Sequence, residues 1–431
     1  GDIEILRHRF QDTNCLSDNA IYNILCDRNH NIWIGSYFGG VDILLHNNKL
    51  FRSIEPGYNA HDIKGKAVRM MIETAPDKFW IATEDGGLNI YDANQGTINV
   101  FNKIPNLGTN IHSLYYNHKL SEIWIGTYRN GLYRYNLNTG RFKEYLFTNG
   151  LRSDAIFYFA SQRNGRLWVA TSHGLLYYDA EQDYFYPCGN SVLDSLFIYT
   201  LHVDRQDNVW VGTITQGLFR IDGNTRKITN WRKGDTTGLK DDYITCLYQD
   251  HYGRLWIGTN NNGLQYMDPK EGRIMSVATT GPISQSTICS IIGDRNGGLW
   301  ISSSLGLYEY VPAKHTFVRY TIDDGLPTNQ FNFSSSLMSH NGTLLLGTVH
   351  GLVTFSPSSI HHKSGPFHVH LKNLIINNCI INASSPHSPL VRELDDTSEI
   401  ILSYSQARSF SIEYGVIIPG DAGTIEYQIR L

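Results

Sequence analysis

Short alternating apolar segments recur along the chain, and no helical period competes with them. Ile21-Tyr22-Asn23-Ile24-Leu25 and Ile244-Thr245-Cys246-Leu247-Tyr248 are two examples. A polar turn follows each, often Asp-x-x-Gly/Asn, as in Asp294-Arg295-Asn296-Gly297. Next come a strand containing Trp, a Gly-containing turn, and a third strand such as Gly131-Leu132-Tyr133-Arg134-Tyr135. A more polar fourth segment ends the unit, as in Phe142-Lys143-Glu144-Tyr145. Period-two alternation broken by turn residues predicts four short strands per unit.

The unit repeats, and the repeat sets the fold. Trp33, Trp80, Trp124, Trp168, Trp210, Trp256 and Trp300 lie 42 to 47 residues apart in strings such as Trp-Ile-Gly-Thr, and Leu345 takes the Trp position in an eighth copy. A lone four-stranded sheet leaves both faces wet, whereas copies packed face to face around an axis bury them. The expected fold is all-β: a propeller of seven or eight four-stranded blades over residues 1–357, followed by a partial β-sandwich. In the eight-bladed version Glu4-Ile5-Leu6-Arg7-His8-Arg9-Phe10 supplies the missing last strand. In the seven-bladed version one unit is left over from a preceding propeller. The Trp residues and their Ile or Val neighbours fill the space between blades, and the small residue after them, Gly35, Gly126 or Ala170, lets backbones approach.

After Pro357 the pattern changes. Residues 358–366 form a polar linker containing His361-His362-Lys363. Residues 367–431 read as strands at Phe367 to Ile376, Ile400 to Tyr404, Phe410 to Tyr414 and Ile425 to Leu431. Pro386, Pro389, Pro419 and Gly420 mark turns between them.

Composition agrees with an all-β protein, at 12% aromatic residues and 39 Gly in 431. Net charge is -4, with no basic run, so the electrostatic footprint of a nucleic-acid binder is missing. No apolar run approaches membrane-spanning length. The six cysteines, Cys15, Cys26, Cys188, Cys246, Cys289 and Cys379, show no Cys-x-x-Cys pair or zinc spacing and read as small buried hydrophobes, with a disulfide between distant units left open.

Candidate chemistry is sparse. No nucleophile elbow, P-loop, His-Glu-x-x-His or dinucleotide glycine pattern occurs, so no catalytic residue, cofactor or metal is expected. Glu84-Asp85 and Asp241-Asp242 could each be half of a glycosidase pair, but solvated turns explain them better. The Asp-x-x-Gly turns are too poor in carboxylate for calcium and fit tight-turn chemistry.

The loops between second and third strands vary while their flanks repeat, as expected of function grafted on a scaffold. They carry Tyr37-Phe38, Glu84-Asp85, Tyr128-Arg129, Ser172-His173, Thr215-Gln216 and Asn260-Asn261-Asn262. Aromatic faces beside polar groups suit a sugar. Tyr37, Phe38, Glu84, Asp85, Tyr128, Arg129, His173, Gln216 and Asn261 are therefore the candidate ligand residues. Tyr37, Phe38, Tyr128 and Arg129 lead, because an exposed aromatic beside Arg is a common recognition anchor.

The repeats resemble the two-component-regulator propeller repeat. Gly253-Arg254-Leu255-Trp256-Ile257-Gly258-Thr259 followed by Gly263-Leu264-Gln265-Tyr266-Met267-Asp268 carries the likeness, as does Gly325-Leu326-Pro327-Thr328-Asn329-Gln330-Phe331-Asn332 at the entry to the last blade. Ser409 to Tyr414 and Tyr427 to Leu431 resemble the immunoglobulin-like triple-tyrosine domain that follows such propellers. The resemblance implies the periplasmic sensor of an inner-membrane hybrid histidine kinase that detects an oligosaccharide and controls polysaccharide-utilisation genes. It also implies a homodimeric receptor whose membrane helix and kinase lie beyond residue 431. Family members usually have about fourteen repeats in two propellers, and eight are present here. A propeller glycosidase or lyase and a non-catalytic interaction or dimerisation scaffold stay open as other readings.

Overall fold

The computed structural model describes residues 5–8, 15–27, 31–44, 50–57, 59, 61–236, 238–268, 272–277, 281–311, 316–360 and 369–416. The chain divides into two compact units, residues 48–360 and residues 1–47 with 361–431.

Residues 48–360 form seven four-stranded antiparallel sheets, six of them meanders of consecutive strands. In chain order, blade 1 spans Val68 to Val100, blade 2 Ile111 to Tyr145, blade 3 Ile156 to Pro187 and blade 4 Ile198 to Trp231. Blade 5 spans Ile244 to Ser276 and blade 6 Ile288 to Tyr320. Blade 7 takes three strands from Phe331 to Phe355 and its fourth, Arg52–Ile54, from the start of the unit. Leu352 pairs with Ile54, Val353 with Ser53 and Thr354 with Arg52. This pairing closes the ring and removes a free edge.

The ring therefore has seven blades, and Arg52–Ile54 does the closing that the eight-bladed version gave to the segment at Glu4 to Phe10. Residues 5–8 are not in a strand, and Glu4, Arg9 and Phe10 lie outside the described residues. The unit around Trp33 is not one of these seven blades. Its strands Ile21–Cys26, Ile32–Ser36 and Val41–Leu44 form a separate three-stranded sheet, so a propeller starting at residue 1 is corrected to one within 48–360. Register is the physical reason: the fourth strand is chosen by a pairing 300 residues away in sequence, which no local pattern encodes.

The repeated letters have separate duties. The Asp that opens a first-to-second turn accepts the indole N–H of the Trp six residues on, at 2.8 Å for Asp204–Trp210, 2.9 Å for Asp250–Trp256 and 3.1 Å for Asp294–Trp300. The Thr or Ser after Trp-Ile-Gly donates to a Gly carbonyl across the next turn and accepts a backbone N–H from within it. Thr213 does both, to Gly217 at 2.9 Å and from Gln216 at 2.9 Å. Gly217 closes that turn at φ +72°, a conformation that favours glycine. The Gly between them is where the next blade arrives. A Cβ on Gly126 would stand 2.6 Å from the Ile156 side chain of blade 3, and one on Gly258 would stand 2.9 Å from Ile288 of blade 6. The apolar clusters accordingly straddle neighbouring blades, as where Trp124 of blade 2 meets Tyr178 of blade 3 with 4.8 Å between ring centroids.

Between residues 369 and 416, strands Cys379–Ile381, Val369–Ile376 and Phe410–Val416 make a three-stranded sheet around Leu374, Ile376, Leu390 and Leu394. The expected strand from Ile400 to Tyr404 is absent. Ile400 and Leu402 pack on that core, but Tyr404–Ala407 is a helical turn. Ser403 and Gln406 form its capping box, a local signal that overrides the short apolar run. The expected strand from Ile425 to Leu431 and most of the 358–366 linker lie outside the described residues.

Candidate functional site

The site is built by an irregularity that recurs in the first strand of every blade. The pairing register skips one residue just after the apolar residue that starts the strand. The skipped residues are Arg69, His112, Phe157, Tyr199, Thr245 and Cys289 in blades 1 to 6. In blade 7 the register skips residues 332–335. A bulge takes a residue out of the ladder and re-aims its side chain. Here the side chains meet on the ring axis, because they touch across blades that are not neighbours. Arg69 of blade 1 donates to the Tyr199 hydroxyl of blade 4 at 3.4 Å and to the Phe333 carbonyl of blade 7. The Tyr199 and Phe333 rings meet edge to face at 5.6 Å.

Arg69 is the buried charge of this plug. Its guanidinium lies 3.5 Å from Glu84 Oε1, and it covers the rings of Tyr199 and Phe333 at 5.6 and 5.9 Å. Asn332 also donates to Glu84, at 3.4 Å. An aromatic arc continues through blades 4, 3 and 2. Tyr199 lies 5.7 Å from Phe157, Phe157 lies 4.6 Å from Phe197 and 5.1 Å from His112, and His112 stacks on Tyr128 at 5.0 Å. Tyr128 is 38% exposed and forms the outer face of the arc, with the Arg129 guanidinium 5.6 Å from its ring.

Burial, and then the nearby Arg69 charge, lowers the His112 pKa to about 3, so the imidazole is neutral at ordinary pH. Burial likewise raises the Tyr199 hydroxyl well above the usual tyrosine range. Among the described residues, His112 Nδ1 and Asn110 Oδ1 are buried polar atoms without a hydrogen-bond partner. Asn110 immediately precedes the strand and His112 is its skipped residue, so both atoms lie at the entry to blade 2. Such orphaned groups cost free energy unless something fills them.

The candidate residues divide sharply. Glu84, Tyr128 and Arg129 join this cluster. Asp85 holds the backbone N–H of Lys66, at 2.8 Å, and so shapes a loop. His173 and Gln216 give their backbone N–H groups to Thr171 and Thr213, and the Asn261 backbone N–H goes to Asp241. Among the described residues, no hydrogen bond or ring contact of the cluster involves the side chains of these three. Tyr37 and Phe38 belong to the separate three-stranded sheet, where Tyr37 stacks on Tyr22 at 5.2 Å.

The reading from loops missed Arg69, Asn110, His112, Phe157, Tyr199 and Asn332. Their signal is present in the chain: Val68, Ile111, Ile156, Ile198, Ile244, Ile288 and Phe331 are alike, while the residue after each varies.

The other candidate groups have structural partners. Asp241 accepts the Tyr243 backbone N–H at 3.1 Å, and Asp242 pairs with Arg232 at 3.0 Å. Glu73, Asp77 and His340 bring potential ligand atoms within 4.8 Å of one another. His340 donates its backbone N–H to Glu73 and Asn341 donates to Asp77, at 2.8 and 3.0 Å. These bonds join blade 7 to blade 1 at the closing seam. All six cysteines are free thiols; Cys246 and Cys289 are buried as expected, whereas Cys26 and Cys379 are exposed. Among the described residues, no helix is long and apolar enough to cross a membrane.

The model for the two-component regulator propeller matches residues 15–38, 192–215 and 238–261. The chain carries two-component-regulator propeller repeats. A protein described as histidine kinase P4 from Formosa agariphila is 25% identical over 272 residues, which is 61% of this chain and 20% of that protein. The chain thus spans about a fifth of the length of this curated relative. Among solved structures, the extracellular domain of a hybrid two-component system from B. thetaiotaomicron is 21% identical with a TM-score of 0.75, covering 96% of this chain and 55% of that one. A streptogramin B lyase is 14% identical with a TM-score of 0.56, covering 70% of this chain and 96% of that one. Likenesses at these identities establish the propeller fold. In two-component-regulator propeller terms, the repeat letters are the scaffold and the skipped residues are its variable interior.

Proposed function

We propose that this chain is the extracytoplasmic sensor portion of a hybrid two-component histidine kinase and binds an oligosaccharide at the axial mouth of its propeller. The observation that carries the reading is the arc from Tyr128 to Arg69, with the orphaned Asn110 Oδ1 and His112 Nδ1 beside an exposed aromatic face. Aromatic faces stack on sugar C–H groups, and orphaned amide and imidazole atoms accept or donate hydroxyl hydrogen bonds. The similarity to a histidine kinase and to an extracellular two-component domain supports the sensor assignment. In this reading the whole receptor is an inner-membrane homodimer that controls polysaccharide-utilisation genes. Ligand acts by binding one receptor conformation better than another.

Calorimetry against a panel of neutral oligosaccharides tests the proposal. A binder should appear whose affinity falls by about tenfold or more in Tyr128→Ala and His112→Ala, a loss of roughly 1.4 kcal/mol. Silence across the panel would count against direct sugar sensing. Release of cleaved products during the same titrations would favour the lyase or glycosidase reading.

A further inference from the structure

A pocket of about 210 Å³ opens in the groove between blades 3 and 4. It lies toward the end of the ring that carries the first-to-second and third-to-fourth turns, opposite the mouth. Arg166, Trp168, Tyr177 and Cys188 of blade 3 line it together with Arg226 and Ile228 of blade 4. The Arg166 guanidinium lies 4.7 Å from the centre of the Tyr177 ring, and that of Arg226 lies 5.9 Å from the Trp168 ring. Among the described residues, neither guanidinium has a hydrogen bond or a contact ion pair.

The repeat supplies its own control. Blade 5 reads Asp250-His251-Tyr252-Gly253-Arg254-Leu255-Trp256, and blade 3 reads Gln162-Arg163-Asn164-Gly165-Arg166-Leu167-Trp168. In blade 5, Asp250 Oδ2 accepts both the Trp256 indole at 2.9 Å and the Arg254 guanidinium at 2.8 Å. In blade 3, Gln162 Oε1 keeps the indole bond at 2.9 Å but brings no charge. Blade 2 follows blade 5 in principle: Arg134, 5.4 Å from the Trp124 ring, has Glu122 at 4.0 Å and Asp183 at 3.7 Å. In blade 3 the equivalent Arg166 lies on Tyr177 without a carboxylate in contact, and the cation that reaches Trp168 is Arg226 of blade 4.

The two cations oppose each other. Burial, and then the Arg166 charge, draws Arg226 below the ordinary arginine range, although Asp207, which lies against Gln162, pulls the other way. The neighbouring Cys188 cannot serve as counterion: its thiol is pushed up to about 12, by burial first and then by its hydrogen bond to Asp194. Two cations that share a groove raise the local positive potential and draw an anion to it.

We propose that this groove is an oxyanion site that takes a carboxylate or sulfate group of a small ligand between Arg166 and Arg226. Guanidinium forks match such groups, and the Tyr177 and Trp168 walls suit a carrier with an apolar face. The site is separate from the axial mouth, and its existence does not depend on what the mouth binds.

Titrating the protein with sodium sulfate, D-glucuronate and N-acetylglutamate, with glucose as the neutral control, tests the site by calorimetry and thermal unfolding. At least one anion should bind and raise the melting temperature, and glucose should do neither. The carboxylate arms distinguish an acidic sugar from an acidic amino acid. Arg226→Gly should weaken binding about tenfold, the equivalent of roughly 1.4 kcal/mol. Arg226 is exposed at φ +62°, so glycine is tolerated there and loss of fold is not a rival explanation. Gln162→Asp rebuilds the blade 5 arrangement and should weaken binding by a similar factor, whereas Tyr128→Ala at the mouth should not change it. Absence of anion binding, an equal response to glucose, or unchanged affinity in Arg226→Gly would overturn the proposal.

Discussion

The ring units and the unit around Trp33 share one sequence grammar and differ in almost every consequence. Asp27 accepts the Trp33 indole at 3.0 Å, just as Asp250 accepts that of Trp256 at 2.9 Å. Both first strands skip one residue, Tyr22 in one unit and Thr245 in the other. Yet Trp256 is wholly buried and Trp33 only half so. Thr245 is fully buried, while Tyr22 is 73% exposed, and Ile24 and Leu25 are exposed beside it. The repeat letters build a hairpin locally. Burial comes only from a neighbouring blade, so the same motif carries different free energy in the two places.

Paired substitutions test that contrast. Trp256→Ala should cost the ring about 3–5 kcal/mol in denaturant unfolding. Trp33→Ala should leave the ring's transition within about 1 kcal/mol of the parent. Equal losses would show that the two units fold as one.

The glycines sharpen the comparison further. A Cβ on Gly126 meets Ser113 Oγ at 2.2 Å and Ile156 at 2.6 Å, whereas one on Gly35 meets nothing nearer than the Asn23 carbonyl at 3.8 Å. Gly126→Ala should destabilise by about 1–3 kcal/mol through overpacking. Gly35→Ala should be within about 0.5 kcal/mol of neutral in urea unfolding. A costly Gly35→Ala would reveal a packed neighbour on that sheet.

The skipped position offers a pH test. The folded pKa of His112, about 3, lies below its ordinary value of 6.5. Between those values the unfolded chain holds more protons, so this group's contribution to stability is present above pH 6.5 and is lost as pH falls toward 3. His112→Asn should flatten the stability-pH slope over that window by less than about 1.4 kcal/mol per pH unit. Half-buried His202, lowered to about 4 by burial, supplies a residual slope of the same sign. An unchanged slope in His112→Asn would place the imidazole in water.

The hydroxyl after the Gly gives the smallest difference. Thr213→Val removes a buried bond to the Gly217 carbonyl and should cost about 1 kcal/mol. Ser36→Ala removes the exposed equivalent to Gly40, at 3.2 Å, and should shift the melting temperature hardly at all.

Half of the site was legible for the same reason that half of the fold was. Tyr128 and Arg129 stand out because they interrupt a repeating turn. His173, Gln216 and Asn261 interrupt it equally, but their backbones hold the turn and their side chains take no part in the cluster. Glu84 and Asp85 are adjacent, and one faces buried Arg69 while the other caps a loop. Adjacent residues in a turn point apart, and only the cross-ring partner decides which of them matters.

By itself, the sequence determined what depends on neighbours along the chain: the strand order within each blade, the Asp-to-Trp and Thr-to-Gly bonds, and a small residue wherever another backbone must approach. These interactions span three to six residues; the Thr or Ser bond recurs in every blade, and the Asp-to-Trp bond in blades 4, 5 and 6. Tertiary structure decided what depends on distant pairings. It joined Arg52–Ile54 to blade 7, left the Trp33 unit out of the ring, and brought Arg69, Tyr199 and Phe333 together on one axis. Gln162 shows the division within a single residue. As a hydrogen-bond acceptor for Trp168 it fits the local grammar, but the charge it omits matters only because Arg226 arrives from the next blade.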